Sequence, residues 1–338
     1  MLRRVARAAP SMIQLGTHAR PARLLPALEH TRREFSSESK MPLNQAATSD
    51  PQRVWLQLAN GRKLAITDEG DGSSGVVIAM HGSPGSVRDF RYLGAHLERA
   101  GVRVVRIDFP GHGSSEEAAI GEHGDPGDGQ ALAGLVDEVC SALRLDRPLL
   151  LGHSLGCQVA MNLAARSPDG FAGLVLLNPV PCLSAHKFIR PYALIWGFSK
   201  FHTWVDSTGL QSSWRAALVV LWKMWGWQGK VTASEVAIVH RRLLFVDFER
   251  QAERSHALKL SRIPCYVAWA TNDGLIEAEL SHQLSQSLPA GPRVVFAHGG
   301  HHIHKHHAGE IADGILEFLA LNEMRASAAP RGETLDVP

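Results

Sequence analysis

The five residues Gly152-His153-Ser154-Leu155-Gly156 constrain this chain more than any other stretch, because of what flanks them. An apolar run, Pro148 to Leu151, ends directly before them, and a helix-like stretch, Cys157 to Arg166, begins directly after. A G-x-S-x-G on a sharp strand-to-helix turn forces its serine into a strained, exposed conformation, and glycines flank it because side chains there would clash. Ser154 then stands at the carboxyl end of a strand, and the Leu155 amide opens the next helix, facing an incoming oxyanion. A chance glycine-serine turn is the bland alternative. The strand and helix on either side favour a nucleophile.

Four further segments fall in a suggestive order. His81-Gly82-Ser83-Pro84-Gly85-Ser86 follows an apolar strand, Val76 to Met80, and Asp108-Phe109-Pro110-Gly111-His112-Gly113 follows another, Val102 to Ile107. Cys265 to Ala270 reads as a strand with Thr271-Asn272-Asp273-Gly274 as its turn, and Arg293 to Phe296 as a strand ending in Ala297-His298-Gly299-Gly300-His301. Together with the serine turn, these segments resemble the serine α/β-hydrolase superfamily, in the cap-bearing branch of esterases, thioesterases and carbon–carbon bond hydrolases. The resemblance runs from about Pro51 to Leu321. It implies a triad in the order Ser154, Asp273, His301, with the histidine as base and the aspartate fixing its tautomer. It also implies that the amides of Ser83 and Leu155 form the oxyanion hole.

Departures from the relatives narrow the chemistry. Epoxide hydrolases and haloalkane dehalogenases attack with an aspartate where this chain has Ser154. The former also use two cap tyrosines, whereas Tyr192 is the one tyrosine of the cap region here, and dehalogenases usually carry a tryptophan where Leu155 stands. A serine with a histidine base points to acyl transfer to water, which requires no metal or organic cofactor.

The fold class expected is α/β: an α/β-hydrolase fold, with a mostly parallel sheet, helices on both faces and an inserted helical cap. Residues 51–180 and 262–323 form the two parts of the core, and 181–261 the cap. An opening hairpin (Val54 to Leu58, Lys63 to Thr67) leads into apolar strands alternating with amphipathic helices over Asp89–Ala100, Gly129–Leu143, Cys157–Arg166 and His304–Leu321, the pattern of a sheet covered on both faces. Ligands of such sheets bind at the carboxyl ends of the strands. The cap region holds six of the eight tryptophans. Trp196, Trp222 and Trp225 are the candidate walls of an apolar acyl or aryl pocket, with simple packing of cap on core as the competing reading. Contact with a membrane surface is a further possibility, since tryptophan favours such boundaries. The glycine-rich, acidic loop Ser114 to Asp128 leaves a strand end near the site.

The first 35 residues differ from the rest. Seven arginines, no lysine and two acids give them a charge of +5, leaving −3 for the remainder of a chain whose total is +2. Such a segment resembles a mitochondrial transit peptide, with cleavage after Phe35, followed by a linker over 36–50. A mitochondrial matrix location is the expectation. A disordered basic arm, or a true start at Met41, is the alternative. Residues 324–338 read as a loose tail. The cysteines (140, 157, 182 and 265) are dispersed, with no C-x-x-C, and Cys157 is expected to pack behind the nucleophile.

Two assignments have competitors. His298, His301, His302, His304, His306 and His307 crowd one stretch, but no acid or cysteine within it completes a tetrahedral ligand set, so no metal is expected. His301 is preferred as base because it follows Gly299-Gly300, with His302 and His298 as alternatives. Glu277 competes with Asp273, and Asn178 occupies the position after the preceding strand where some relatives carry the acid. In the early cap, Arg190 reads first as a surface arginine, with steering of a carboxylate as the functional alternative.

The function expected is a serine hydrolase cleaving an ester or thioester with an apolar acyl group through an acyl-enzyme. A carbon–carbon bond hydrolase of a diketone-like substrate is the nearest rival, and a non-catalytic ligand-binding protein the other. The partner is a small molecule. The slightly acidic mature domain, without a basic stripe, speaks against nucleic acid. The sequence leaves the oligomeric state open.

Overall fold

The computed structural model describes residues 32–34, 52–59, 61–116, 129–180, 192–224, 231–244 and 248–321. Expectations for the remainder, including the linker, the loop at 117–128, Cys182, Arg190, Trp225 and the tail, lie outside the described residues.

Nine strands form one sheet in the order β1-β9-β8-β7-β6-β4-β5-β3-β2. They are β1 (Arg32–Glu34), β2 (Val54–Gln57), β3 (Lys63–Glu69), β4 (Val76–Met80), β5 (Arg103–Ile107), β6 (Leu149–His153), β7 (Gly173–Leu177), β8 (Cys265–Ala270) and β9 (Arg293–Phe296). The β2–β3 and β3–β5 pairs are antiparallel, and the remaining pairs are parallel. Apart from His153 at the end of β6, the central strands are apolar, as strands buried on both faces must be; every residue of β4, β6, β7 and β8 is buried. β1 falls within the leader expected at 1–35 and lies parallel to β9 at the sheet edge.

Helices cover both faces. On one, α1 (Arg91–Arg99) and the last long helix, α9 (Ala308–Leu321), bury Leu93, Leu97, Ile311, Ile315 and Phe318 against β4–β9. On the other, α2 (Gln130–Ala142) and α3 (Leu155–Arg166) contribute Leu132, Val136, Val139, Val159 and Leu163. Helix α8 (Ala278–Gln286) follows β8. The helix expected over 304–321 is broken: a turn at Ile303–His306 is separated from α9 by His307. The His307 ring meets the Glu310 carboxylate through Nδ1 (2.7 Å) and donates from Nε2 to the His298 carbonyl (3.0 Å), so it staples the break.

Among the described residues, four helices lie between β7 and β8: α4 (Tyr192–Asp206), α5 (Gln211–Met224), α6 (Ala233–Leu244) and α7 (Phe248–Leu260). Helix α7 packs on the core through Leu258. Aromatic side chains tie the first three together: the Trp214 indole donates to His202 Nδ1 (2.8 Å) and the Trp222 indole to His240 Nε2 (3.2 Å).

Candidate active site

The turn after β6 carries Ser154 at φ 52° and ψ −113°, a left-handed conformation that a side-chain-bearing residue holds only under strain. Packing imposes it. A Cβ on Gly156 would stand 2.0 Å from the Met80 carbonyl oxygen, and one on Gly152 would stand 2.5 Å from the Cys157 nitrogen. Strand, turn and helix can approach this closely only where both side chains are hydrogen. Behind the turn, Cys157 is fully buried, its thiol donating to the Gly152 carbonyl (3.2 Å). Burial pushes that thiol well up, so it stays neutral.

Asp273, in the turn after β8, is 2.8 Å from His301 Nδ1 through Oδ2. A carboxylate can only accept, so the shared proton sits on His301 Nδ1. Three further donors fix the carboxylate: the amides of Leu275 (2.8 Å) and Ile276 (3.0 Å) on Oδ1, and Asn178 Nδ2 (2.7 Å) on Oδ2. Burial opposes ionisation of Asp273, but the His301 hydrogen bond and charge, with the two amides, outweigh it and hold its carboxyl below the usual range. Glu277 stands four residues further on, at the start of α8.

Asn178 itself has φ 45° and also donates to the Gly300 carbonyl (3.2 Å). It therefore binds the acid and the histidine loop at once, a role not anticipated from its sequence position. His153, the neighbour of Ser154, completes the link: its Nε2 donates to the His301 carbonyl (2.7 Å), and the two rings lie 4.9 Å apart. The serine turn and the histidine loop are thus directly bonded. The alternative bases stand differently: burial lowers His302 to about 4, and the His298 carbonyl accepts the His307 staple.

The loop after β4 lies against the serine turn, since a Cβ on Gly82 would be 3.1 Å from Ser154 Cβ. Asp108 holds this loop in place by accepting from the amides of Val87 (2.7 Å) and Ser114 (2.8 Å). His81 is clamped within it. Its Nε2 accepts from the Phe109 amide (2.9 Å) and its Nδ1 donates to the Gly82 carbonyl (2.5 Å). The Ser83 hydroxyl meets His112 Nε2 (3.1 Å) and accepts from Arg242 Nη1 (3.2 Å).

Arg242 is the finding that sequence reasoning missed. It lies on α6, is buried, and reaches from the helical insertion to the loop bearing Ser83. An arginine beside a second arginine, Arg241, in this helix gives no sequence signal that its side chain turns inward. Of the three candidate tryptophans, Trp222 is half-buried and bonded to His240, Trp196 has only its backbone described, and Trp225 lies outside the described residues. No helix among the described residues is long and apolar enough to cross a membrane.

Residues 65–289 match the family described as alpha/beta hydrolase of unknown function (DUF1057). The chain is 24% identical over 264 residues to 2-succinyl-6-hydroxy-2,4-cyclohexadiene-1-carboxylate synthase of Enterobacter sp. (strain 638), covering 72% of this chain and 92% of that one. It is 22% identical over 253 residues to the uncharacterized hydrolase YugF of Bacillus subtilis (strain 168), covering 72% and 89%. Among solved structures it is similar to an esterase from Exiguobacterium antarcticum, with a TM-score of 0.60 and 17% identity, over 80% of this chain and all of that one. By its sheet, its insertion and the match over most of its length, the chain belongs to the alpha/beta hydrolase family DUF1057.

Proposed function

We propose that the protein is a serine hydrolase that cleaves an ester or thioester through an acyl-enzyme, with Ser154 as nucleophile, His301 as general base and Asp273 as its orienting acid. One observation carries this reading: a histidine with its Nδ1 proton held by a buried aspartate is bonded, through His153, to a strained serine turn. Ser154 attacks the acyl carbon as His301 Nε2 takes its proton. The amides of Ser83 and Leu155 receive the oxyanion. His301 then gives the proton to the leaving group, and water repeats the sequence to free the acid. An apolar acyl group suits the aromatic insertion, with Trp196, Trp222 and Trp225 as candidate contacts.

A specific observation supports the second reading, cleavage next to a carbon-linked acyl group in a substrate bearing a carboxylate. Arg242 provides a buried cation beside the oxyanion loop, the part that was sought at Arg190. The Enterobacter relative is named for a carboxylate product.

The test is a chain-length series of p-nitrophenyl esters and acyl thioesters, with Ser154→Ala beside the unmodified protein. Turnover that vanishes in the variant supports the serine hydrolase, and its chain-length optimum sizes the pocket. Absence of turnover on every acyl substrate moves the assignment to the carbon–carbon reading. The Arg-rich leader supports a mitochondrial matrix location, and sequencing the N-terminus after import into isolated mitochondria checks it by the appearance of Ser36.

A further inference from the structure

Beside the candidate triad lies a second histidine group that the serine chemistry does not use. His153, His302 and His304 each offer a ring nitrogen, and the three nitrogens lie within 4.8 Å of one another. Ring centroids are 4.2 Å apart for His153–His304, 5.4 Å for His153–His302 and 5.7 Å for His302–His304. Three imidazoles bound tetrahedrally at zinc–nitrogen distances of about 2.0–2.1 Å place their centroids about 5 Å apart, so the rings already stand near the required spacing.

The hydrogen-bond inventory singles out these nitrogens. His153 and His304 are almost wholly buried, and among the described residues Nδ1 of His153, Nδ1 of His302 and both nitrogens of His304 have no hydrogen-bond partner. A buried polar atom without a partner forfeits the hydrogen bond it would make to water, and four stand together here. The His153 tautomer is settled, because its Nε2 must carry the proton that it gives to the His301 carbonyl. Its Nδ1 is therefore a bare lone pair. A metal-ligating histidine commonly donates its other ring N–H to a carbonyl or carboxylate in this way. Asp89 and Lys305 stand beside the cluster and pair at 2.5 Å, and the Asp273 carboxylate faces His302 from the turn after β8.

We propose that His153, His302 and His304 bind one divalent transition cation of the zinc class, which clamps the loop carrying His301 onto the turn carrying Ser154. Two ligands adjoin those two residues in the chain, so the ion would fix the spacing between nucleophile and base. The nitrogens close by roughly an ångström to reach ligand distance, and the fourth position falls to solvent on the partly exposed His302 side. The stretch 298–307 lacks a closed ligand set because its third ligand comes from β6. The proposal does not require Ser154 to be a nucleophile.

The experiment uses the full chain, freed of metal by chelation and titrated with Zn²⁺ and, separately, Co²⁺. One saturating equivalent per chain is expected, and X-ray absorption of the zinc-loaded, unmodified protein should count three imidazoles. His302→Gln and His304→Gln should each weaken binding by at least the ~10–100-fold that losing even an outer partner costs a metal site. His256→Gln and His306→Gln, both at exposed positions, should bind as the parent does. No saturable binding, a shell of fewer than three imidazoles, or affinity lost with His306 and kept without His302 would overturn the site. The absorption count needs no variant, so it decides the matter even if the buried His304→Gln chain fails to fold.

Discussion

Asp273 is surrounded by donors: His301, Asn178 and two backbone amides all point at one carboxylate. Its charge fixes the His301 proton on Nδ1. Asp273→Asn keeps the shape but no longer enforces that tautomer, so kcat on an ester should fall ~10³–10⁴-fold with KM little changed. A fall below tenfold would show that another acid, such as Glu277, orients the base. The glycines of the serine turn are as exacting in another sense. The Cβ added by Gly156→Ala would overlap the Met80 carbonyl oxygen, and such overpacking costs typically ~1–3 kcal/mol or more. Urea denaturation should show that loss, and an unchanged midpoint would mean the turn can relax.

Among elements, the strands were the most legible from sequence and the helical insertion the least. β4, β6, β7 and β8 announce themselves because burial on both faces leaves no alternation of polar and apolar residues to misread. The turns of Ser154, Asp273 and His301 followed, since each sits at a strand end marked by glycine or a polar run. Long-range partners were not legible. Asn178 donates to Asp273 across 95 residues and His153 to His301 across 148, and neither pairing leaves a local pattern. The break at His307 was missed because its staple to Glu310 and His298 depends on side-chain direction in three dimensions. Arg242 escaped for the same reason. If α6 presents this cation to substrate, Arg242→Gln should raise KM for carboxylate-bearing substrates about tenfold or more, near the ~1.5–3 kcal/mol of a charged hydrogen bond, and leave neutral esters nearly unaffected. Equal losses on both would assign Arg242 to holding the Ser83 loop instead.

For the whole molecule, buried imidazoles set the response to acid. Burial lowers His81 and His112 below the ordinary value of 6.5, and His240 to about 4. Between the folded and ordinary values the unfolded chain binds more protons, so stability rises with pH across that window. It is fully present above about pH 6.5 and drains away as pH falls below it. The depressed carboxyls of Asp89 and Asp273 act lower down, losing their contribution only as pH falls through their folded values. Denaturant midpoints should therefore decline from about pH 6.5 downward, and a plateau reaching to about pH 4 would show that these histidines are not buried neutral.

In the proposed reaction Ser154 is a nucleophile activated by His301 and Asp273. Its most direct measurement is reaction of the full chain with a fluorophosphonate, followed by peptide mass spectrometry to locate the adduct. One adduct per chain is expected, on Ser154, formed far more slowly in His301→Gln. An unreactive chain, or an adduct on Ser154 whose rate ignores the loss of His301, would contradict it.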